Sequence, residues 1–267
     1  MQPYFTENEY NTPENTPHYW GDKLAMKTRF YFLARYVAIV SYARFLVARG
    51  RFDAIAYMKT NWRIFKLIEG CNGRFHITGL DNIRNCTRPV VFVSNHMSNV
   101  ESNTFGVMIR PYLPLTFVVK ETLLKFPIFG PVLKTALNPI PVGRDNPRED
   151  LQFVLQEGVK RLQKGISVIV FPQSTRTVEF VAEKFNSLGV KLARKADVWV
   201  MPVALKTDFW GNGRSFWRDF GPIHREQPIH IAFGEPFPVT GSGKEAHERI
   251  IAFIQYHLEK WSAITHS

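Results

Sequence analysis

Cysteine is scarce in this chain of 267 residues, with only Cys71 and Cys86 present. Two are too few for a disulfide framework, and their spacing fits no zinc site. A phosphate-binding P-loop, a dinucleotide glycine fingerprint and an internal repeat are also missing, so no nucleotide-dependent or solenoid architecture is indicated. The opening MQPYFTENEY is acidic and polar, unlike a secretory leader. No run of about 18 uncharged apolar residues occurs. The best stretch, Phe30 to Ala48, is broken by Arg35 and Arg44, each costing about 2.5–3.5 kcal/mol near a bilayer centre. It is expected to lie at an interface instead of spanning.

Basic residues are plentiful, and the formal charge is +11. Residues 1–22 carry −4 and read as a flexible acidic tail, whereas residues 23–74 carry +9. A concentrated basic segment implies an anionic partner: nucleic acid, anionic lipid or an acidic carrier protein. No nucleic-acid motif is present, and the bases lie among apolar helices, so nucleic acid is not expected. Residues 24–70 predict two helices. In the second, Lys59, Arg63 and Lys66 fall within a sector of roughly 60°, while Ile55, Met58, Trp62, Phe65 and Ile68 point elsewhere. That pattern suits a helix sunk at an anionic lipid surface, and equally a core-packed helix with a solvated stripe.

From residue 75 the pattern becomes α/β. Short β-branched runs occur at 89–94, 115–119, 166–171, 198–205 and 229–233, separated in places by helical patterns. The clearest helix starts at Pro147 behind Asn146 as its cap, and a last one runs from Glu245 to Trp261. Such alternation predicts a mostly parallel central sheet flanked by helices, with ligands outside the carboxyl ends of the strands.

Polar clusters follow the predicted strands. Ser94-Asn95-His96-Met97-Ser98-Asn99-Val100-Glu101 places a carboxylate five residues after a histidine. On one helix the two would diverge, but across a turn and the start of a helix they meet. A carboxylate on an imidazole fixes its tautomer and steadies its cation. The alternative is a capping turn with an incidental histidine. Phe171-Pro172-Gln173-Ser174-Thr175-Arg176-Thr177 offers a guanidinium, hydroxyls and turn N–H groups suited to phosphate, or else a polar loop with a solvated arginine. Lys120 through Pro127 and Gly130 to Arg144 adds two more cationic candidates. No metal site is expected, because two candidate ligands are too few.

Together these blocks, with Val200-Met201-Pro202-Val203 as a fourth, resemble the glycerolipid acyltransferase family, best known from 1-acylglycerol-3-phosphate acyltransferases. The likeness covers residues 75–240 or so. It implies acyl transfer from a thioester, acyl-CoA or acyl carrier protein, to a lysophospholipid hydroxyl, giving phosphatidic acid, with no resident cofactor. It implies His96 as general base oriented by Glu101. It further implies that Arg144, Gln173, Ser174, Thr175, Arg176 and Lys120 contact substrate, with Lys59, Arg63 and Lys66 on a membrane-docking element, residues 23–74. Residues 75–267 are then the acyltransferase domain, on the cytoplasmic face of a membrane. Three residues depart from the family pattern: Glu101 stands where Asp is commoner, keeping the charge, and Gln173 and Ser174 stand where Glu and Gly are usual. Gln173 and Ser174 leave open a different lysolipid acceptor, and Gln173 a lipid-binding relative without turnover.

Overall fold

The chain is described here from a computed structural model covering residues 3–143, 146–173, 175–213 and 219–265. The β-branched runs become strands, and three further short strands join them. In chain order the strands are β1 Tyr10–Asn11, β2 Phe75–Thr78, β3 Val91–Ser94, β4 Leu115–Lys120, β5 Ile140–Val142, β6 Ser167–Val170, β7 Val200–Lys206 and β8 Ile229–Phe233. The helices are α1 Trp20–Leu24, α2 Arg29–Ala48, α3 Ala54–Gly70, α4 Leu80–Arg84, α5 Val100–Ile109, α6 Glu121–Leu124, α7 Phe129–Leu137, α8 Pro147–Gln163, α9 Leu188–Ala196 and α10 Lys244–Thr265. Among the described residues the strands form one sheet in the order β1-β2-β8-β7-β3-β6-β4-β5. Its pairs are parallel except β1 with β2 and β7 with β8.

Strands β3 and β6 are buried along their whole length, as central parallel strands must be when helices cover both faces. One face packs on α2, α3 and α5, around Phe65, Phe92, Phe105 and Trp210. The other packs on α8, α9 and α10, around Val93, Val154, Leu192 and Ile250. Helix α8 begins as its sequence demands. The Asn146 side chain accepts from the Glu149 N–H, Pro147 takes the first turn, and Glu149 and Asp150 face the positive end of the helix.

Residues 3–22 do not form the expected flexible tail. Phe5 is buried against Tyr10 and Phe65, Tyr4 stacks on Trp62, and β1 adds an antiparallel edge to β2. Polar composition suggested solvation, but three aromatic rings outweigh it, each bringing a large apolar area. The hydroxyls of Tyr10 and Thr12 donate to Glu69 Oε1 at 2.6 and 2.8 Å, and Asp22 is fully buried.

The basic helix α3 takes the core-packed form. Met58, Ile64, Phe65 and Ile68 are buried in the protein core and Trp62 is half-buried, while Ile55 in the first turn is exposed. Lys59 and Arg63 are exposed. Lys66 is instead engaged within the fold, donating to the buried Glu69 Oε2 at 2.5 Å. Helix α3 also lies close against α5: a Cβ added at Gly106 would stand 2.6 Å from Asn61 Oδ1 and 2.7 Å from a Tyr57 ring carbon. Outward-facing apolar residues are found elsewhere, at Trp20, Leu24, Met26 and Phe30, and farther along α2 at Tyr42 and Phe45. Helix α2, with 20 residues, is by length and composition able to cross a membrane.

Candidate active site

Three adjacent parallel strands, β7, β3 and β6, end side by side and deliver the polar residues to one edge of the sheet. Beyond β3 the chain turns at Asn95, whose side chain is clamped to Leu205 of β7: its amide donates to the carbonyl at 2.8 Å and accepts from the N–H at 2.9 Å. Ser94 Oγ donates to the Val203 carbonyl at 3.0 Å. The turn is therefore tied to the sheet before His96 leaves it.

His96 Nδ1 lies 2.9 Å from Glu101 Oε1, so the five-residue separation is closed by a turn followed by the first turn of α5. The Glu101 carboxylate is fully buried and completely satisfied. Its Oε1 also accepts the N–H groups of Met97 and Ser98, both at 2.8 Å. Its Oε2 accepts the hydroxyls of Ser98 at 3.0 Å and Thr207 at 2.7 Å. Burial pushes this carboxyl upward. The hydrogen bond and charge of His96, then the Ser98 N–H and the Thr207 hydroxyl, hold it below the ordinary carboxylate value. The carboxylate is thus ionised and can only accept, so Nδ1 carries the proton and Nε2 is left as the base. The imidazole lies flat on Phe171, with ring centres 4.1 Å apart, and keeps 19% of its side-chain surface open.

The segment after β6 closes over this turn. The His96 N–H donates to Gln173 Oε1, Gln173 Nε2 donates to Thr177 Oγ1, and the Thr177 N–H donates back to the His96 carbonyl, each at 2.9 Å. Gln173 is therefore a brace across the His96 backbone in this structure, a use its sequence position did not reveal. An amide suits the place because it accepts at one end and donates at the other.

Arg176 stands next to Thr177 and reaches the same turn from the other side. Its Nη1 donates to Asn99 Oδ1 and its Nη2 to Asp219 Oδ1, the latter at 2.6 Å. Asn99 Nδ2 donates to the Asp219 carbonyl at 3.2 Å. The guanidinium and the imidazole are thus gathered around residues 96–99. Thr175 is partly buried in the same segment. Lys120 is exposed at the end of β4, two strands and so about 10 Å laterally from β3. Arg144 and Ser174 lie outside the described residues. Two partners went unseen in the sequence. Thr207 had a signal, since it directly follows a strand paired with β3; Asp219 had none. Cys71 is no rival nucleophile: burial, then nearby Asp22, pushes its thiol up to about 12. No group of three or more His, Cys, Asp or Glu side chains among the described residues is arranged to hold a metal.

Comparison with known proteins bears on the family. The family model described as Acyltransferase matches residues 74–206. A 1-acyl-sn-glycerol-3-phosphate acyltransferase of Pseudomonas aeruginosa is 30% identical over 192 residues, covering 72% of this chain and 68% of the relative. A chloroplast 1-acyl-sn-glycerol-3-phosphate acyltransferase of Arabidopsis thaliana is 29% identical over 132 residues, which is 49% of this chain but 36% of that one. A lyso-ornithine lipid O-acyltransferase of Pseudomonas aeruginosa is 25% identical over 166 residues, covering 58% of this chain and 61% of the relative. The crystal structure of a 1-acyl-sn-glycerophosphate acyltransferase from Thermotoga maritima superposes with a TM-score of 0.64 at 23% identity, covering 88% of this chain and 94% of that one. That last likeness is one of fold. Taken with the extent of the match to the bacterial relative, the comparisons place this chain in the acyltransferase family.

Proposed function

We propose that this protein transfers a fatty acyl chain from a thioester donor, acyl-CoA or an acyl carrier protein, to the free hydroxyl of 1-acyl-sn-glycerol-3-phosphate. The product is phosphatidic acid. The observation that carries the reading is the ionised, fully satisfied Glu101 on His96 Nδ1, with Arg176 gathered at the same turn.

His96 Nε2 takes the proton of the acceptor hydroxyl as its oxygen attacks the thioester carbonyl. Glu101 steadies the imidazolium that forms. The tetrahedral intermediate then expels the thiolate, which leaves with the proton held on His96. General-base help of this kind is typically worth about 10²–10⁴-fold. Arg176, with Thr175 beside it, holds the acceptor phosphate and so fixes the hydroxyl against the base. Arg144, Ser174 and Lys120 are further acceptor contacts in this reading.

The acceptor is a lipid, and lifting its chain into water costs about 0.8 kcal/mol per CH₂. We place the docking surface at exposed Trp20, Leu24, Met26 and Phe30 and the outer face of α2, with Lys23, Lys27, Lys59 and Arg63 toward anionic head groups. The cytoplasmic face of a membrane fits that arrangement. A different lysolipid acceptor is the second reading, supported by the likeness to the lyso-ornithine lipid enzyme.

The test is acylation by purified protein with labelled acyl-CoA or acyl carrier protein and a panel of lysolipids. 1-Acyl-sn-glycerol-3-phosphate should be acylated fastest, and H96A should lose acylation while still floating with liposomes containing phosphatidylglycerol. A lysolipid lacking phosphate as the best acceptor refutes the substrate assignment, and full activity in H96A refutes the base.

A further inference from the structure

Arg176 is largely out of water, with 13% of its side chain exposed, and its carboxylate partner Asp219 is 47% exposed. The asymmetry matters. A cation at a poorly hydrated site needs an acceptor whenever substrate is absent. Asn99 supplies a neutral one from α5, and the Asp219 carboxylate supplies the charge. The Asn99 side chain is held at its other end as well, its Nδ2 donating to the Asp219 main-chain carbonyl at 3.2 Å, and its own carbonyl accepts from Asn103 Nδ2 at 2.8 Å at the start of α5. Asp219 serves that turn through its main-chain carbonyl, whereas its carboxylate stands half in solvent and can be released into water at low cost.

We infer that Asp219 is a displaceable counter-ion of the acceptor site, a carboxylate that occupies the Arg176 Nη2 position between turnovers and is exchanged for a phosphate-monoester oxygen when acceptor binds. This rests on the reading that the acceptor phosphate binds Arg176. The exchange swaps one N–H···O⁻ bond for another of the same geometry, so Arg176 needs no reorientation. It also works in reverse. The returning carboxylate competes with the phosphate of the product, which keeps product affinity from rising to the point of slowing release. Asp219 thereby sets acceptor affinity without touching the reacting atoms.

The experiment compares the full chain with D219N and D219A. In D219N the amide oxygen still accepts from Arg176, so the scaffold is kept while the competing charge is removed. The KM for 1-acyl-sn-glycerol-3-phosphate should fall about two- to fivefold, with kcat changing less than twofold. At about 1.4 kcal/mol per decade this is about 0.4–1 kcal/mol, the range of partly exposed ion pairs. Inorganic phosphate, titrated against wild type and D219N by calorimetry, should bind the variant tighter by a similar factor. D219A should shift in the same direction. A KM that rises or stays fixed in D219N, with phosphate binding no tighter, overturns the inference and makes Asp219 a plain support for Arg176. Should the wild-type protein fail to acylate the phosphate acceptor at all, the proposed function falls. The phosphate titration still decides the counter-ion claim: tighter binding to D219N upholds it, and equal or weaker binding overturns it.

Discussion

Exchanging Glu101 for Gln separates the charge of this side chain from its shape. Five donors converge on the carboxylate: Met97 N–H, Ser98 N–H and His96 Nδ1 on Oε1, and the Ser98 and Thr207 hydroxyls on Oε2. In E101Q the two backbone N–H groups select the carbonyl end for the Oε1 place, so the imidazole keeps its partner and tautomer. The two hydroxyls can rotate to accept from the new NH₂. Folding is therefore preserved, because the lost charged hydrogen bonds are offset by the end of the desolvation cost; the melting midpoint should stay within roughly 4 °C. Turnover should suffer. A hydrogen bond to a charged group is worth about 1.5–3 kcal/mol against about 1 for a neutral pair. Losing up to about 2 kcal/mol at the imidazolium-like transition state lowers kcat on the order of 10–30-fold. That is smaller than the H96A loss of about 10²–10⁴. The assay is steady-state kinetics with a thiol reagent detecting released CoA, beside a thermal melt of the same sample. Wild-type kcat in a folded E101Q refutes the electrostatic role. A loss of turnover tracked by a melting drop above 10 °C makes Glu101 a folding residue only.

Other outcomes are as definite. Q173A removes the brace from the His96 backbone, so kcat should fall roughly tenfold or more, as for small misplacements of a reacting group, while the acceptor KM moves less than twofold; a KM-only effect would return Gln173 to substrate binding. D22A strips the buried partner of Arg225 Nη2, now 2.6 Å away, and of His18; the cost is about 3–5 kcal/mol, or roughly 6–20 °C in a thermal melt. His230 is pushed down to about 3 by burial, then by His76 and Lys206, and its Nε2 has no hydrogen-bond partner among the described residues. Below its ordinary value of about 6.5 the unfolded chain binds the proton first, so stability falls with pH from about 6.5 toward about 3. H230F, which keeps the ring stack on His76 and Trp261, should flatten the midpoint-against-pH slope between pH 6.5 and 4, and parallel slopes would exclude His230 as the cause.

The sheet and its carboxyl edge were legible because they depend on short-range pattern. Buried parallel strands read as β-branched runs, and β3, β4, β6, β7 and β8 all sit inside or beside them. The meeting of His96 with Glu101 was legible for the same reason, since a turn and one helical turn span it. Strands β1, β2 and β5 were missed: β1 and β5, at two and three residues, carry too little periodicity to register, and β2, Phe-His-Ile-Thr, lacks the continuous apolar run that marks β3 and β6. The N-terminal segment was misread because its order comes from distant partners, Trp62, Phe65 and Glu69, which local composition cannot show. The stripe on α3 misled through Lys66, whose counter-ion three residues later is invisible as such until burial of Glu69 is known. Thr207 and Asp219 lie more than 40 residues from the side chains they serve, Glu101 and Arg176.

Gly106 gives the architecture an unforeseen sensitivity. With no side chain there, α3 rests directly on the helix that carries Glu101 near its beginning. The Asn61 and Tyr57 side chains of α3 press straight onto the α5 backbone there, so the seating of one helix bears on the helix that carries the acid. A methyl group added at that one spot would have to push Asn61 and Tyr57 aside or lift α3 from α5, a strain handed to the element on which Glu101 is mounted.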